Sequence, residues 1–191
     1  MRRALPATVL TGVALAASAC GAERQAAPDT ATPRAPGGRV RVHLRADGVS
    51  FAAPRAWTRV PGEAPQIAEL ASGRATVTLW RYARTQPLPR IAAGVRQALS
   101  DLEAAAKARN PGLSITRSRT TRVDGHPALE LRGSASIDGH ERVVRSVHVY
   151  ALGAELVVDA LAEPAHAARV DHRVVAPLVR SLRLRAPRGG T

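Results

Sequence analysis

The sequence predicts one α+β domain in which an antiparallel β-sheet is flanked by helices. Segments with apolar and polar residues in two-residue alternation are separated by Gly and Pro. Asp-Gly pairs join several of these segments, and one long stretch has the apolar spacing of an amphipathic helix. Setting aside low-complexity ends, the 191-residue chain leaves a span of about 150 residues, which suits a single domain with its own core.

The N-terminus has the layout of a secretory signal. A cationic start, an apolar stretch too short for a spanning helix and a few small residues occupy residues 1–19. Cys20, the single cysteine, follows directly. The run from Ala17 to Cys20 resembles the lipobox of bacterial lipoproteins, in which a diacylglycerol is attached to the cysteine and the chain is cut just before it. The alternative is an ordinary secretory signal with an incidental cysteine.

A lipid-modified Cys20 predicts a protein anchored to the cell membrane on its extracytoplasmic face, because two acyl chains suffice for stable anchoring. A lone cysteine leaves no intrachain disulfide. Residues 20–38 are rich in Ala, Pro, Gly and Arg without apolar periodicity, which predicts a flexible tether. The folded domain is predicted over residues 39–184, and residues 185–191 are predicted to be a disordered tail.

The chain is strongly basic, with a formal charge of +13 and arginine supplying every basic residue except Lys107. This skew, together with the high alanine content, is typical of a GC-rich genome. Nucleic acid is the usual partner of a basic protein, but export makes it a poor choice here. A basic surface near anionic lipid headgroups instead gains roughly 1 kcal/mol per residue. We expect a monomer.

The first half of the domain is predicted to hold strands followed by a helix. The alternating segments are residues 40–46, 48–53, 66–70 and 75–82, with Trp57 in a turn or short strand. The helix is predicted over residues 89–108 and ends at Asn110-Pro111-Gly112. Its inward side chains share helical spacing: Ile91, Val95, Leu99 and Leu102.

The second half predicts an antiparallel meander and a last helix. Its strands are residues 113–123, 127–137, 142–152 and 155–161, and the turns are Asp124-Gly125, Asp138-Gly139 and Leu152-Gly153. Residues 129, 131, 135 and 137 are apolar whereas 130, 132, 134 and 136 are polar, which predicts one core face for that strand. The last helix is predicted to begin near Asp171 as N-cap, with Pro177 bending or shortening it.

Four strings resemble a known class of exported proteins. They are GVSFAAPRAWTRV at 48–60, ATVTLWRY at 75–82, VDGHPALELRG at 123–133 and VVAPLVRSLRL at 174–184. Together they resemble actinobacterial lipoproteins of the LpqN/LpqT type, which have the PsbP-like α/β/α sandwich fold. The resemblance implies a central antiparallel sheet flanked by helices, with a binding or assembly role. It transfers no catalytic residue.

Known catalytic and metal motifs are largely missing from the sequence. There is no G-x-S-x-G nucleophile turn, no phosphate-binding loop and no dinucleotide glycine pattern. His126 and His140 follow Asp-Gly turns that bracket one strand, so they are predicted at opposite edges of the sheet. We therefore interpret His126 and His140 as solvated turn residues, and we expect no metal and no cofactor.

The aromatic residues are the best candidates for a ligand site. Trp80 and Tyr82 must share one face of a strand, and His148 and Tyr150 share one face of another. If the two faces coincide, they form a wall for an apolar ligand with a polar head, which Trp57 could extend. The alternative is that these rings are core.

Arginines near these positions offer a second ligand contact. Arg145, like Arg81 and Arg84, could pair with a phosphate or carboxylate headgroup. The alternative interpretation makes all three solvated residues at the sheet edge.

Three functions remain open. The first is a non-catalytic, membrane-anchored domain that binds a cell-envelope lipid or a protein partner. The second is an envelope hydrolase or acyltransferase with His148 or His140 as base, which a convergent Ser-His-Asp or paired-carboxylate geometry would favour. The third is an assembly factor for an envelope complex, which an exposed apolar patch would favour.

Overall fold

The computed structural model describes residues 30–187. The predicted signal, Cys20 and residues 188–191 lie outside the described residues. The elements are β1 (Arg39–Leu44), β2 (Val49–Pro54), β3 (Thr58–Pro61), β4 (Gln66–Ser72), β5 (Ala75–Ala83), α1 (Ala92–Arg109), β6 (Ser114–Val123), β7 (His126–Ile137), β8 (His140–Ala151), β9 (Ala154–Ala162), α2 (Pro164–Val170), a π-helical segment (Asp171–Val175), α3 (Ala176–Ser181) and β10 (Arg183–Leu184).

Two antiparallel sheets organise these elements. The large sheet has seven strands in the order β3-β4-β5-β9-β8-β7-β6, and the small one has the order β1-β2-β10. The α+β class with an antiparallel sheet is therefore confirmed. Both residues of each predicted hairpin turn have positive φ, for example 49° at Asp124 and 80° at Gly125. That conformation matches the right-handed twist of the flanking strands, which explains why these three turns could be placed from sequence.

Helices cover both faces of the large sheet. On one face of the large sheet lies the main core, which this sheet shares with the small sheet and with the C-terminal helical segment, residues 164–181. Its large fully buried side chains include Phe51, Leu70, Leu79, Leu178 and Leu182. On the other face, Val95 of α1 packs against Leu129 and Tyr150. The predicted single core face of β7 is therefore incomplete: Leu129 is buried under α1, and Glu130 on the opposite face is also buried.

The C-terminal helical segment begins earlier than predicted. It starts at Pro164, whose missing N–H and fixed φ suit the first helical position, and Asp171 lies inside it rather than at its N-cap. Pro177 lies in the first turn of α3, directly after the π-helical segment. Pro177 cannot donate to the carbonyl of Arg173, four residues earlier. The Arg39 guanidinium donates to that carbonyl instead, with Nη2 3.3 Å from the oxygen.

The start of the first helix also differs from the prediction. The helix begins at Ala92, with Ile91 as N-cap in an extended conformation. The Ile91 side chain is consequently 72% exposed instead of facing inward. Val95 is buried and Leu99 and Leu102 are partly buried, as their helical spacing predicts.

Residues 31–38, which we call the N-terminal strap, contact the domain. The Arg74 amide donates to the Ala31 carbonyl (2.9 Å), and the Arg34 amide donates to Ser72 Oγ (2.9 Å). The Trp57 indole N–H donates to the Arg34 carbonyl (3.0 Å). The end of the predicted flexible tether is thus bound to the fold, because its backbone groups find partners that a composition argument does not reveal.

The C-terminal end also extends past the predicted boundary of the domain. The short strand β10 pairs with β2, and the Arg185 amide donates to the Gly48 carbonyl at 2.8 Å. Gly48 has a positive φ of 67°, and a Cβ there would lie 2.1 Å from the Arg185 carbonyl oxygen. Glycine is therefore required at this close approach.

Candidate functional site

The four strand residues of the predicted aromatic set come together on one face of the large sheet. Strand β9 lies between β5 and β8, and its Val157 pairs with both Trp80 and His148. Its Glu155 pairs in the same way with Tyr82 and Tyr150. Directly paired residues point to the same face, so all four side chains lie on the face that α1 partly covers. We call this surface the aromatic face.

The aromatic face is open at one end and buried at the other. The Trp80 and Tyr82 rings stack with centroids 6.5 Å apart and planes 12° apart, and Tyr82 is 40% exposed. Tyr150 is buried against Val95 of α1. Each of the two alternatives therefore holds for part of the set: Trp80 and Tyr82 of β5 are accessible, whereas Tyr150 of β8 is a core residue.

A chain of hydrogen bonds runs beside the rings. Ser146 Oγ lies 2.9 Å from His148 Nε2, and His148 Nδ1 lies 2.7 Å from Glu155 Oε1. Glu155 also accepts a hydrogen bond from Arg84 Nη1 (2.7 Å). At the other end, the Ser146 hydroxyl donates to Asp159 Oδ1. The face thus carries a continuous polar chain from Asp159 to Arg84, with Ser146 and Glu155 buried.

The pKa values of the two carboxyl groups in this chain shift in opposite directions. Burial alone would raise the pKa of Glu155, but the hydrogen bond and charge of His148, together with Arg84, lower it below its usual value. Burial raises the pKa of Asp159, and the Ser146 hydrogen bond only partly offsets this. Burial and the negative charge of Glu155 raise the pKa of Tyr150. Within this polar chain, the environment therefore favours the ionised form of Glu155 and the protonated form of Asp159.

The order Ser146, His148, Glu155 resembles a nucleophile, its base and an orienting carboxylate. Acyl transfer also needs backbone N–H donors aimed at the developing oxyanion. Ser146 lies within β8, paired with Leu131 of β7 on one side and Asp159 of β9 on the other. Its backbone is committed to the sheet, and its hydroxyl donates to Asp159. The arrangement supplies strong hydrogen bonding to a ligand more readily than it supplies a nucleophile.

Two predicted site residues lie elsewhere. Trp57 is 5% exposed and belongs to the main core on the opposite face of the sheet, so it does not extend the aromatic face. Arg145 is also on the opposite face, because odd-numbered residues of β8 point away from His148. It is buried, contrary to the alternative of a solvated edge residue, and it pairs with Asp171 Oδ1 and, at 3.4 Å, with Glu130 Oε1.

Ser146, Glu155 and Asp159 were not predicted as site residues. A signal was present, because a two-residue loop at Leu152-Gly153 fixes the hairpin register. That register places Ser146 opposite Asp159 and Tyr150 opposite Glu155, so both carboxyl groups lie on the same face as His148. Reading the hairpin across both strands would have found the polar chain.

Residues 30–187 were also searched for a metal-binding group of side chains and for a membrane-spanning helix. Within that span no group of three or more His, Cys, Asp or Glu side chains is placed to hold a metal ion. No helix in the same span is both long and apolar enough to cross a membrane.

Comparisons with known proteins identify the fold. The chain is similar to the solution structure of the cyanobacterial PsbP protein CyanoP from Synechocystis sp. PCC 6803, with a TM-score of 0.60, 11% identity, and coverage of 78% of this chain and 94% of that one. It is also similar to LpqN of Mycobacterium tuberculosis, described as involved in cell envelope biogenesis, with a TM-score of 0.54, 16% identity, and coverage of 75% and 88%. The domain therefore has a PsbP-like fold. No family model matches the sequence, and the curated sequences contain no significant match.

Proposed function

We propose that this chain is a lipid-anchored, extracytoplasmic binding protein without catalytic activity, and that its aromatic face holds an amphiphilic cell-envelope lipid. The observation that carries the proposal is the convergence of Trp80 and Tyr82 with the polar chain around His148 on neighbouring strands. Stacked rings offer apolar area, while the polar chain and Arg84 offer partners for a headgroup.

The position of the aromatic residues supports binding rather than structure alone. A stacked Trp-Tyr pair that contributed only to the core would be buried, but Tyr82 is exposed and Trp80 is partly exposed. Tyrosine and tryptophan are enriched at interfaces, where one end of the side chain is in apolar surroundings and the other is in contact with water. The similarity to LpqN, described as involved in cell envelope biogenesis, agrees with an envelope ligand at the level of a shared fold.

The anchor is tested by the mass of the full chain purified from its own envelope. We expect cleavage before Cys20 and the added mass of a diacylglyceryl group. A Cys20→Ser variant should lack this mass and be released from the membrane fraction. An unmodified Cys20 in the mature chain would overturn the anchor, while leaving the ligand proposal to its own test.

The ligand is tested by mass spectrometry of organic extracts from the full chain with Cys20→Ser, which carries no acyl chain and is purified without detergent. We expect a stoichiometric lipid that is lost in Trp80→Ala/Tyr82→Ala. The matched control is Val40→Ala, because Val40 is an exposed apolar residue of the small sheet, away from the aromatic face. Retention of the lipid in the first variant, or an empty Cys20→Ser chain, would overturn the lipid proposal. Specific cross-linking of one envelope protein to the aromatic face would then favour the assembly role.

The Ser146-His148-Glu155 arrangement favours one second candidate, an envelope esterase or acyltransferase with Ser146 as nucleophile and His148 as base. Hydrolysis of a short-chain nitrophenyl ester by the full chain, abolished in Ser146→Ala, would support it. Labelling of Ser146 by a fluorophosphonate gives a second readout. Activity unchanged in Ser146→Ala, or no labelling, would exclude this serine as nucleophile.

A further inference from the structure

A dense group of arginines lies where the N-terminal strap meets the C-terminal helical segment. Arg34 of the strap, Arg169 of α2 and Arg173 of the π-helical segment line one cavity of about 150 Å³. Its apolar wall includes Trp57 and Val174. Three positive side chains thus surround the mouth of one apolar recess.

Two arginines of β1 extend this surface. Arg39 Nη2 donates to the Arg173 carbonyl (3.3 Å), and Arg41 Nη1 donates to the Ser181 carbonyl (2.8 Å). These bonds satisfy carbonyls that the helical segment leaves without donors, but they neutralise no charge. We call the whole set the strap surface: Arg34, Arg39, Arg41, Arg169 and Arg173, all of them exposed.

The strap surface carries uncompensated positive charge. Within residues 30–187 none of its arginines forms an ion pair with a carboxylate. The acidic residues of the adjoining helical segment are already engaged: Glu163 with Arg74, and Asp171 with Arg132 and Arg145. A surface of this kind attracts anions, and the attraction weakens with salt.

The strap also sets how far this surface can lie from Cys20. Only residues 21–30 separate Cys20 from Ala31, whose carbonyl is bonded to the domain. Even fully extended, such a segment reaches no further than about 40 Å. An anchor at Cys20 therefore holds the strap surface close to the bilayer.

We infer that the strap surface binds the anionic headgroups of the membrane in which the chain is anchored. This inference rests on the proposed anchor at Cys20, which keeps the domain near the bilayer. The arginines of the strap surface determine which side of the domain faces the bilayer. Trp57 and the strap lie on the side of the large sheet opposite the aromatic face. With the strap surface on the bilayer, the aromatic face points away from it and stays open to its ligand.

The test uses the full chain with Cys20→Ser, so that no acyl chain contributes, and sedimentation with phosphatidylcholine vesicles that contain or lack phosphatidylglycerol. We expect phosphatidylglycerol to strengthen binding, and we expect this gain to fall steeply with salt. Each basic residue near an anionic surface adds about 1 kcal/mol, so Arg34→Ala/Arg169→Ala/Arg173→Ala should weaken binding roughly 100-fold.

The matched control removes the same charge from the other side of the sheet. Arg90, Arg96 and Lys107 are exposed, and they lie on or just before α1. The triple alanine variant of these residues should bind the vesicles nearly as well as the Cys20→Ser chain. The unprocessed N-terminus is common to every variant and contributes equally. Equal losses in the two triple variants, or equal binding to vesicles without phosphatidylglycerol, would overturn the inference.

A second measurement gives the orientation of the anchored protein. The chain has two tryptophans, on opposite faces of the large sheet. With Trp80→Phe, fluorescence reports Trp57 alone, and with Trp57→Phe it reports Trp80 alone. We expect a headgroup-located quencher in phosphatidylglycerol vesicles to reduce Trp57 emission several-fold more than Trp80 emission. Stronger quenching of Trp80 would overturn the proposed orientation, whatever the fate of the ligand proposal.

Discussion

Glu130 and Arg145 lie on adjacent strands with Oε1 and Nε 3.4 Å apart, and both side chains are buried. Arg119 and Arg132 donate hydrogen bonds to the Glu130 carboxylate, at 2.7 and 2.6 Å. One buried carboxylate thus sits among three guanidinium groups. Arg145 and Arg132 extend the cluster to Asp171 of the helical segment. The cluster ties β6, β7 and β8 to that helical segment.

Removing the Glu130 charge should strongly destabilise the fold. Glu130→Gln leaves three arginines facing a neutral amide, and breaking a buried ionic network on one side typically costs about 3 kcal/mol or more. We expect a loss of that order in the free energy of unfolding measured by urea. The control is Glu141→Gln, because Glu141 is exposed. Equal stability of the two variants would show that the cluster contributes nothing net.

The same carboxylate predicts a direction for the pH dependence of stability. Burial alone would raise the pKa of Glu130, but hydrogen bonds from Arg119 and Arg132, with the charge of Arg145, lower it below its unfolded value of 4.5. Its stabilisation is therefore complete above that unfolded value and is lost as the pH falls through the lower folded value. Urea unfolding between neutral and acidic pH should show a smaller acid loss for Glu130→Gln than for wild type.

Asp159 predicts the opposite behaviour. Burial raises the pKa of Asp159, so folding favours its protonated form and stability falls as the pH rises through the folded pKa. Asp159→Asn removes that cost and keeps an oxygen to accept the Ser146 hydrogen bond. We expect the variant to be more stable than wild type at neutral pH and equal to it below the unfolded pKa of 3.8.

The control for this variant is Asp138→Asn, which removes a charge from an exposed hairpin turn. Its φ of 51° suits asparagine as well as aspartate. We expect little change at any pH. Destabilisation by Asp159→Asn at neutral pH would mean that His148 and Ser146 stabilise the carboxylate more than burial penalises it.

The sequence was most informative where the structure is local. Two-residue alternation placed Trp80 with Tyr82 and His148 with Tyr150, and positive-φ turn residues placed the three hairpins. That the two pairs share one surface depends on β9 inserting between β5 and β8. No local pattern encodes the pairing of β5 with β9, which lie far apart in the chain. The sequence alone therefore could not show that the two pairs share one face.

Burial of charge was the least predictable feature. Arg145 and Glu130 have the residue types of a solvated face, yet both are buried, Arg145 against Asp171 of the helical segment and Glu130 among the arginines of neighbouring strands. The helical segment itself was predicted to begin at Asp171 because aspartate is a frequent N-cap. Pro164 is an equally good first residue, and the packing of the whole segment against the sheet decides in its favour.

Attachment of the N-terminal strap gives a last prediction, through Gly73 at the β4-β5 turn. Gly73 has a φ of 55°, and a Cβ there would lie 2.3 Å from the Ala31 carbonyl oxygen, the atom that accepts from the Arg74 amide. Gly73→Ala should therefore lower the free energy of unfolding by roughly 1 to 2 kcal/mol, the usual cost of an alanine in the left-handed conformation. The added methyl group should also displace the strap. We expect the Trp57 emission to shift to the red in a Trp80→Phe background, because displacement of the strap removes the Arg34 carbonyl from the indole N–H and exposes the buried ring to water.

Gly125→Ala separates the two effects of the Gly73 substitution. Gly125 also has a positive φ, 80°, but a methyl group on its Cα would meet no atom within 4 Å beyond its chain neighbours, so only the backbone cost applies. In the same Trp80→Phe background we expect a comparable fall in the free energy of unfolding without a change in Trp57 emission. If both variants left the emission unchanged, the strap would tolerate the methyl group by local movement. Its bonds to Ser72 and Trp57 would then suffice to hold it.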